Sequence, residues 1–191
     1  MGFAKTFFST SLLLAFPLPA SPTIYSVHCP LSCQSNPGGN DLVFNHLYPL
    51  SNHNQTKFAD WVVYEVDITN FGVSPGRDWS TAPLIHPDKT LEEDDHKGAS
   101  SSAMQADRGH QSLLVTFASS KYWYELNYLS NITPQNKDLN QGPWKSLEYA
   151  ERAALSFRNN LFVITGPLYL KDMPIMPNAD EPHVSLLQSY L

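Results

Sequence analysis

The apolar positions fall into a few dense runs separated by long polar and turn-forming stretches, and each run predicts an element. FADWVVYEVDI (58–68) has the β-branched and aromatic content of a strand. LNYLSNITPQ (126–135) predicts a second strand closed by a turn, and NNLFVITGPLYL (159–170) a third with a strong apolar run. Between these two lies the clearest helix, PWKSLEYAERAALSFR (143–158). Its Pro143 sits in the first turn, where the missing N–H does no harm, and strong helix formers follow. Asn140 stands just ahead of it, close to where an N-cap belongs.

The polar stretches predict connections. Residues 21–56 are rich in Ser, Pro, Asn and Gly and read as irregular chain wrapping a core built later, apart from the short apolar stretch LVFNHLYPL (42–50). Residues 72–104 form a long connection of turn chemistry, and a loop of that length in a compact domain is often functional. Its acidic run, Glu92 to Asp95, is followed by His96. Carboxylates and imidazole are metal ligands, but consecutive charges lack a spacing that points them inward, so this run predicts a solvated loop. No internal repeat is visible.

The first twenty residues carry one positive charge, Lys5, then a short apolar stretch interrupted by Ser9, Thr10 and Ser11, then prolines and a small residue, Ala20. This pattern predicts a secretory signal peptide over 1–20, cleaved near Ala20, and a single domain over 21–191. The stretch falls short of the roughly 20 apolar residues a bilayer span needs, so no stable membrane association is expected after cleavage. A secreted or periplasmic location follows.

With 42% apolar and 16% charged residues the chain reads as globular, and its fifteen prolines make it loop-rich. Removing Lys5 with the signal leaves 12 − 1 = 11 basic against 18 acidic residues, a net charge of −7. No global basic field draws in nucleic acid, so any phosphate binding must come from a local cluster. The two cysteines, Cys29 and Cys33 in HCPLSC, suit a small-loop disulfide in an exported chain. A zinc site would need two further ligands, and only His28 is adjacent.

Two groupings bear chemistry. In QADRGHQSLL (105–114), His110 sits beside Asp107 and Arg108 with an apolar run behind it, which alone leaves open a packed core histidine, a metal ligand or a catalytic base. On the helix, Trp144, Glu148 and Arg152 fall within about 80° of one another at about 100° per residue, on one face. Alone, Glu148 and Arg152 read equally well as a surface ion pair.

Taken jointly, DRGHQ (107–111), NYLSNITPQNKDLNQGPWKSLEYAER (127–152) and VITGPLY (163–169) resemble the DNA/RNA non-specific endonucleases, the ββα-metal or His-Me finger nucleases. The resemblance extends through TKFADWVVYEV (56–66), GRDW (76–79) and DKTLEEDDHKGA (88–99) to the paired cysteines, nearly all of the chain after the signal. It implies an α+β fold: a ββα-metal core and a central antiparallel sheet flanked by helices and long loops. Of the residues, it implies His110 as general base, Asn140 as the one protein ligand of a Mg²⁺ ion, which Mn²⁺ could replace, and Glu148 as holder of the ion's water. Arg108, Arg152 and Arg77 match positions at the scissile phosphate. Three of the four arginines after the signal thus form the local cluster that the acidic composition demands. Asn131 and Gln135 match polar residues near the metal and substrate, with strand-end hydrogen bonding an equal alternative. Asn131 and Asn54 also begin glycosylation sequons. The implied activity is hydrolysis of DNA and RNA to 5′-phosphorylated products, by a protein that can form a homodimer.

The match departs from the family at three places, one of them the stretch from Asp172 onward, which fits it less well. The family follows DRGHQ with Ala-Pro, whereas here Ser112-Leu113 follow, which predicts a less firmly oriented His110. The ending DEPHVSLLQSYL stands where the family continues into further sheet strands and a second cysteine pair. The expectation is therefore a chain lacking C-terminal strands, with a catalytically silent nucleic-acid-binding remnant as the alternative function.

Overall fold

The structure is a computed structural model that describes residues 24–33, 38–156, 160–168 and 175–179. The segment predicted as a signal peptide and the ending from Asp180 lie outside the described residues. A four-stranded antiparallel sheet is ordered β1 (Asp41–Phe44), β2 (Pro49–Asn52), β3 (Ala59–Val66) and β6 (Leu161–Thr165). A second antiparallel ribbon pairs β4 (Ala106–His110) with β5 (Ile132–Asn136). The helix α2 (Lys145–Ala154) follows β5 through a short α1 (Lys137–Leu139) and one π-helical turn, Asn140–Trp144. The strand–strand–helix unit β4–β5–α2 sits against the sheet, an α+β arrangement.

Strand β3 forms where its content predicts, and as a central strand it buries both faces: Val62, Tyr64 and Val66 in the main core, Trp61 and Val63 against the cysteines. Cys29 and Cys33 stand at disulfide-bonding separation, their Cα atoms 5.1 Å apart. Residues 21–56 depart from expectation, because the hairpin β1–β2 supplies two strands of the sheet. Asp41, Ser51 and Asn52 hid its alternation. The strand predicted over 126–135 begins only at Ile132. Residues 123–131 form successive 3₁₀ turns, where the Asn127 and Asn131 side chains bond to distant segments, at Gly76, His110 and Ser112.

The helix begins earlier and less regularly than Pro143 suggests. Asn136, not Asn140, is the N-cap, its side chain accepting from the N–H groups of Asp138 and Leu139. Pro143 lies inside the π turn, where the wider winding accommodates its ring and missing donor. Trp144 turns into the core, only 5% exposed, while Glu148 and Arg152 line the open cleft. The expected common face therefore holds for the last two only, because the 80° between Trp144 and Arg152 crosses the core boundary.

Gln111 ties the two sheets. Its Nε2 donates to Ala59 O (2.8 Å) and Thr133 Oγ1 (2.6 Å), and its backbone carbonyl accepts from Thr165 Oγ1 (3.2 Å). Beside it, a Cβ on Gly166 would stand 2.3 Å from Asp60 O, so only glycine lets β6 approach β3 there. No helix among the described residues is long and apolar enough to cross a membrane.

Candidate active site

The DRGH motif is itself strand β4, so Arg108 and His110, two residues apart, share one face. Gly109 lies between them because a Cβ there would meet the Gln135 side chain at 2.5 to 3.0 Å. Arg77, Trp79, Asp107, Arg108, His110, Asn140, Glu148 and Arg152 line one open cleft of about 1180 Å³. Four separated segments thus meet: the connection after β3, strand β4, the π turn and α2.

His110 is half-buried and held at two sides. Its ring lies 5.4 Å from the Trp79 ring, and Nε2 donates to Asn127 Oδ1 at 3.3 Å. The Asn127 amide is itself oriented, because its Nδ2 donates to Gly76 O (3.1 Å). An amide oxygen only accepts, so Nε2 carries the proton and Nδ1 keeps its lone pair. Burial, with a smaller contribution from Arg77 and against the Asn127 bond, lowers the His110 pKa to about 4. The imidazole is neutral at pH 7 and able to take a proton.

The missing Ala-Pro is compensated nearby. Asn131 Oδ1 accepts from Ser112 N–H (2.8 Å), and its Nδ2 donates to the carbonyls of Ser112 (3.0 Å) and Leu126 (2.9 Å). One buried amide thus fixes the chain leaving His110. Asn131 does not line the cleft; it is fully buried with its amide bonded to the backbone, which also makes it a poor glycosylation acceptor in the folded chain. Gln135 is likewise buried, packed behind Gly109 rather than in the cleft.

Asn140 Nδ2 donates to Asp107 Oδ2 at 3.1 Å, and Gln141 Nε2 donates to the same oxygen at 2.8 Å. A carboxylate accepts only, so this bond fixes which end of the Asn140 amide is oxygen and leaves Oδ1 as the atom able to face a cation. No group of three or more His, Cys, Asp or Glu able to hold a metal exists among the described residues. One amide oxygen with Glu148 lining the same cleft suits Mg²⁺, which keeps most of its waters and takes few protein oxygens. Burial raises the Glu148 pKa, while Arg152, Arg77 and Lys145 pull it down.

Arg108 donates from Nη2 to Glu93 O (2.7 Å), and its guanidinium lies 5.2 Å from the Trp79 ring. The solvated loop expected at Glu92–His96 is a capped 3₁₀ turn with Asp95 and His96 buried. Asp95 turns inward to accept from Glu92 N–H at 2.7 Å, and burial with the nearby Arg108 lowers the His96 pKa to about 3. Asp107, Trp79 and Asn127 were not singled out in sequence. Asp107 and Trp79 stood inside quoted motifs, but only the folded chain shows what they touch.

The fold and this cleft define a class, nucleases built on a ββα unit, and the comparisons agree. The chain matches the DNA/RNA non-specific endonuclease family over residues 29–186, and it belongs to that family. It is 37% identical to the protein named Nuclease of Serratia marcescens over 186 residues, covering 96% of this chain and 70% of that one. It is 30% identical to mitochondrial Endonuclease G of Bos taurus over 138 residues, 70% of this chain and 44% of the relative. A chain from the crystal structure of the EndoG/EndoGI complex superposes with a TM-score of 0.65 at 25% identity, over 79% of this chain and 65% of that one.

Proposed function

We propose that the protein is an exported, Mg²⁺-dependent endonuclease that hydrolyses phosphodiester bonds in both DNA and RNA and leaves 5′-phosphates. The observation that carries this reading is the meeting in one cleft of a neutral His110, the Asn140 amide oxygen, Glu148 and three arginines. His110 Nδ1 takes the proton of the attacking water, and Trp79 and Asn127 keep the ring from turning. Asn140, oriented by Asp107, would hold the divalent ion, which supplies charge neutralisation at the phosphate and the leaving oxygen. Arg77, Arg108 and Arg152 bind the phosphate backbone and offset the charge gained in the transition state. Contacts to backbone rather than base edges accept either sugar.

The test is digestion of supercoiled plasmid and of RNA by the purified chain with Mg²⁺, with EDTA, and with His110→Ala. Cleavage of both substrates, abolished by EDTA and reduced by about 10² to 10⁴ in the variant, is expected. A folded protein that binds both polymers and cuts neither would make it a silent remnant.

A further inference from the structure

The cleft-facing stripe of α2 is Lys145, Glu148, Tyr149 and Arg152, spaced i, i+3, i+4 and i+7. Lys145 and Arg152 are cations suited to phosphate, and Glu148 is a carboxylate. The fourth is an aromatic side chain left 58% exposed. The helix packs on the core through Leu147 and Leu155, and Tyr149 is not among the residues of that cluster. Its ring instead lies 4.8 Å from the Arg152 guanidinium, beside a residue assigned to the scissile phosphate.

We propose that Tyr149 is a stacking platform for an unpaired nucleobase next to the scissile phosphate, favouring single-stranded or locally opened nucleic acid. This rests on the nuclease reading above. A nucleotide carries its base only a few ångströms from its phosphate, and a phosphate gripped by Arg152 brings a base to the neighbouring ring. Every base has a π-face, so stacking adds affinity without adding sequence preference. A paired base keeps its faces inside the duplex stack and offers none to Tyr149. Tyr149 is the exposed aromatic of the cleft, engaged by Arg152, whereas Trp79 is half-buried and lies against both Arg108 and His110.

The experiment compares the full chain with Tyr149→Ala and Tyr149→Phe. Metal-free binding in EDTA is read by fluorescence anisotropy on a labelled single strand, a hairpin duplex of the same sequence, and an abasic deoxyribose-phosphate strand. kcat/KM is then read with Mg²⁺ on the first two. Tyr149→Ala is expected to weaken single-strand binding about 10-fold, to leave duplex and abasic binding within about twofold, and to lower kcat/KM on the single strand alone. Tyr149→Phe retains the wild-type values. Equal weakening on all three polymers, the abasic strand included, would show that the ring only props Arg152 and would overturn the proposal. So would no weakening at all. A wild type that binds but never cleaves overturns the nuclease reading instead, and the metal-free arm still decides the stacking.

Discussion

At the scale of the residue, the site works by restricting what each polar group can do. His110 is left one free nitrogen because Asn127 engages the other, and Asn140 is left one free oxygen because Asp107 engages its amide nitrogen. The neighbouring charge also sets a pH dependence. Burial and Arg77 both lower the His110 pKa, to about 4, so the base form persists as pH falls and is lost only through that value. The acid limb of kcat/KM is therefore expected near pH 4 rather than 6.5. Removing Arg77 takes away a cation that disfavours the imidazolium, so Arg77→Ala raises that limb toward 6.5 as well as lowering activity. A pH–rate profile whose limb stays or moves downward in the variant would contradict this assignment.

At the scale of the element, α2 is held to the sheet by a buried carboxyl. Tyr64 Oη donates to Glu151 Oε2 at 3.1 Å, with Tyr64 fully buried on β3 and Glu151 7% exposed. Burial raises the Glu151 pKa to about 7, with nearby Glu148 adding to it and the Tyr64 bond opposing. A folded pKa above the unfolded value means the folded chain holds a proton that the unfolded chain releases. Stability is full below about pH 4.5 and declines as pH rises through about 7. Glu151→Gln keeps an acceptor for Tyr64 and removes the charge. It is expected to raise the thermal midpoint at pH 8, by on the order of 2 kcal/mol in stability, with little difference at pH 5. A gain equal at both pH values would place the effect in packing instead.

At the scale of the whole molecule, an acidic protein gathers Arg77, Lys97, Arg108, Lys145 and Arg152 in one cleft, beside the carboxylates Glu93, Asp94, Asp107 and Glu148. Three arginine–phosphate contacts predict a slope of about −3 for log K against log salt on duplex DNA, measured metal-free. Arg152→Ala reduces its magnitude by about one. A salt-independent affinity would mean that the cleft does not bind phosphate. The chain spans 65% of the matched chain of the EndoG/EndoGI complex and 44% of the bovine relative.

Sequence by itself determined the strongly patterned pieces. The candidate cleft residues were expected only through the family resemblance carried by DRGHQ, LNQGPW and GRDW, whereas β3 and β6 were legible from β-branched runs and α2 from its helix formers. Local pattern carries these because burial on a strand or helix face repeats with a fixed period. Tertiary structure alone decided the rest. The hairpin β1–β2, the π turn that sends Trp144 inward, the burial of His96 and the inward roles of Asn131 and Gln135 depend on partners distant in the chain. So do the grips of Asn127 on His110 and of Asp107 on Asn140. A polar side chain has no period of its own, and whether it meets solvent, substrate or a backbone carbonyl is settled only when the segments close around it.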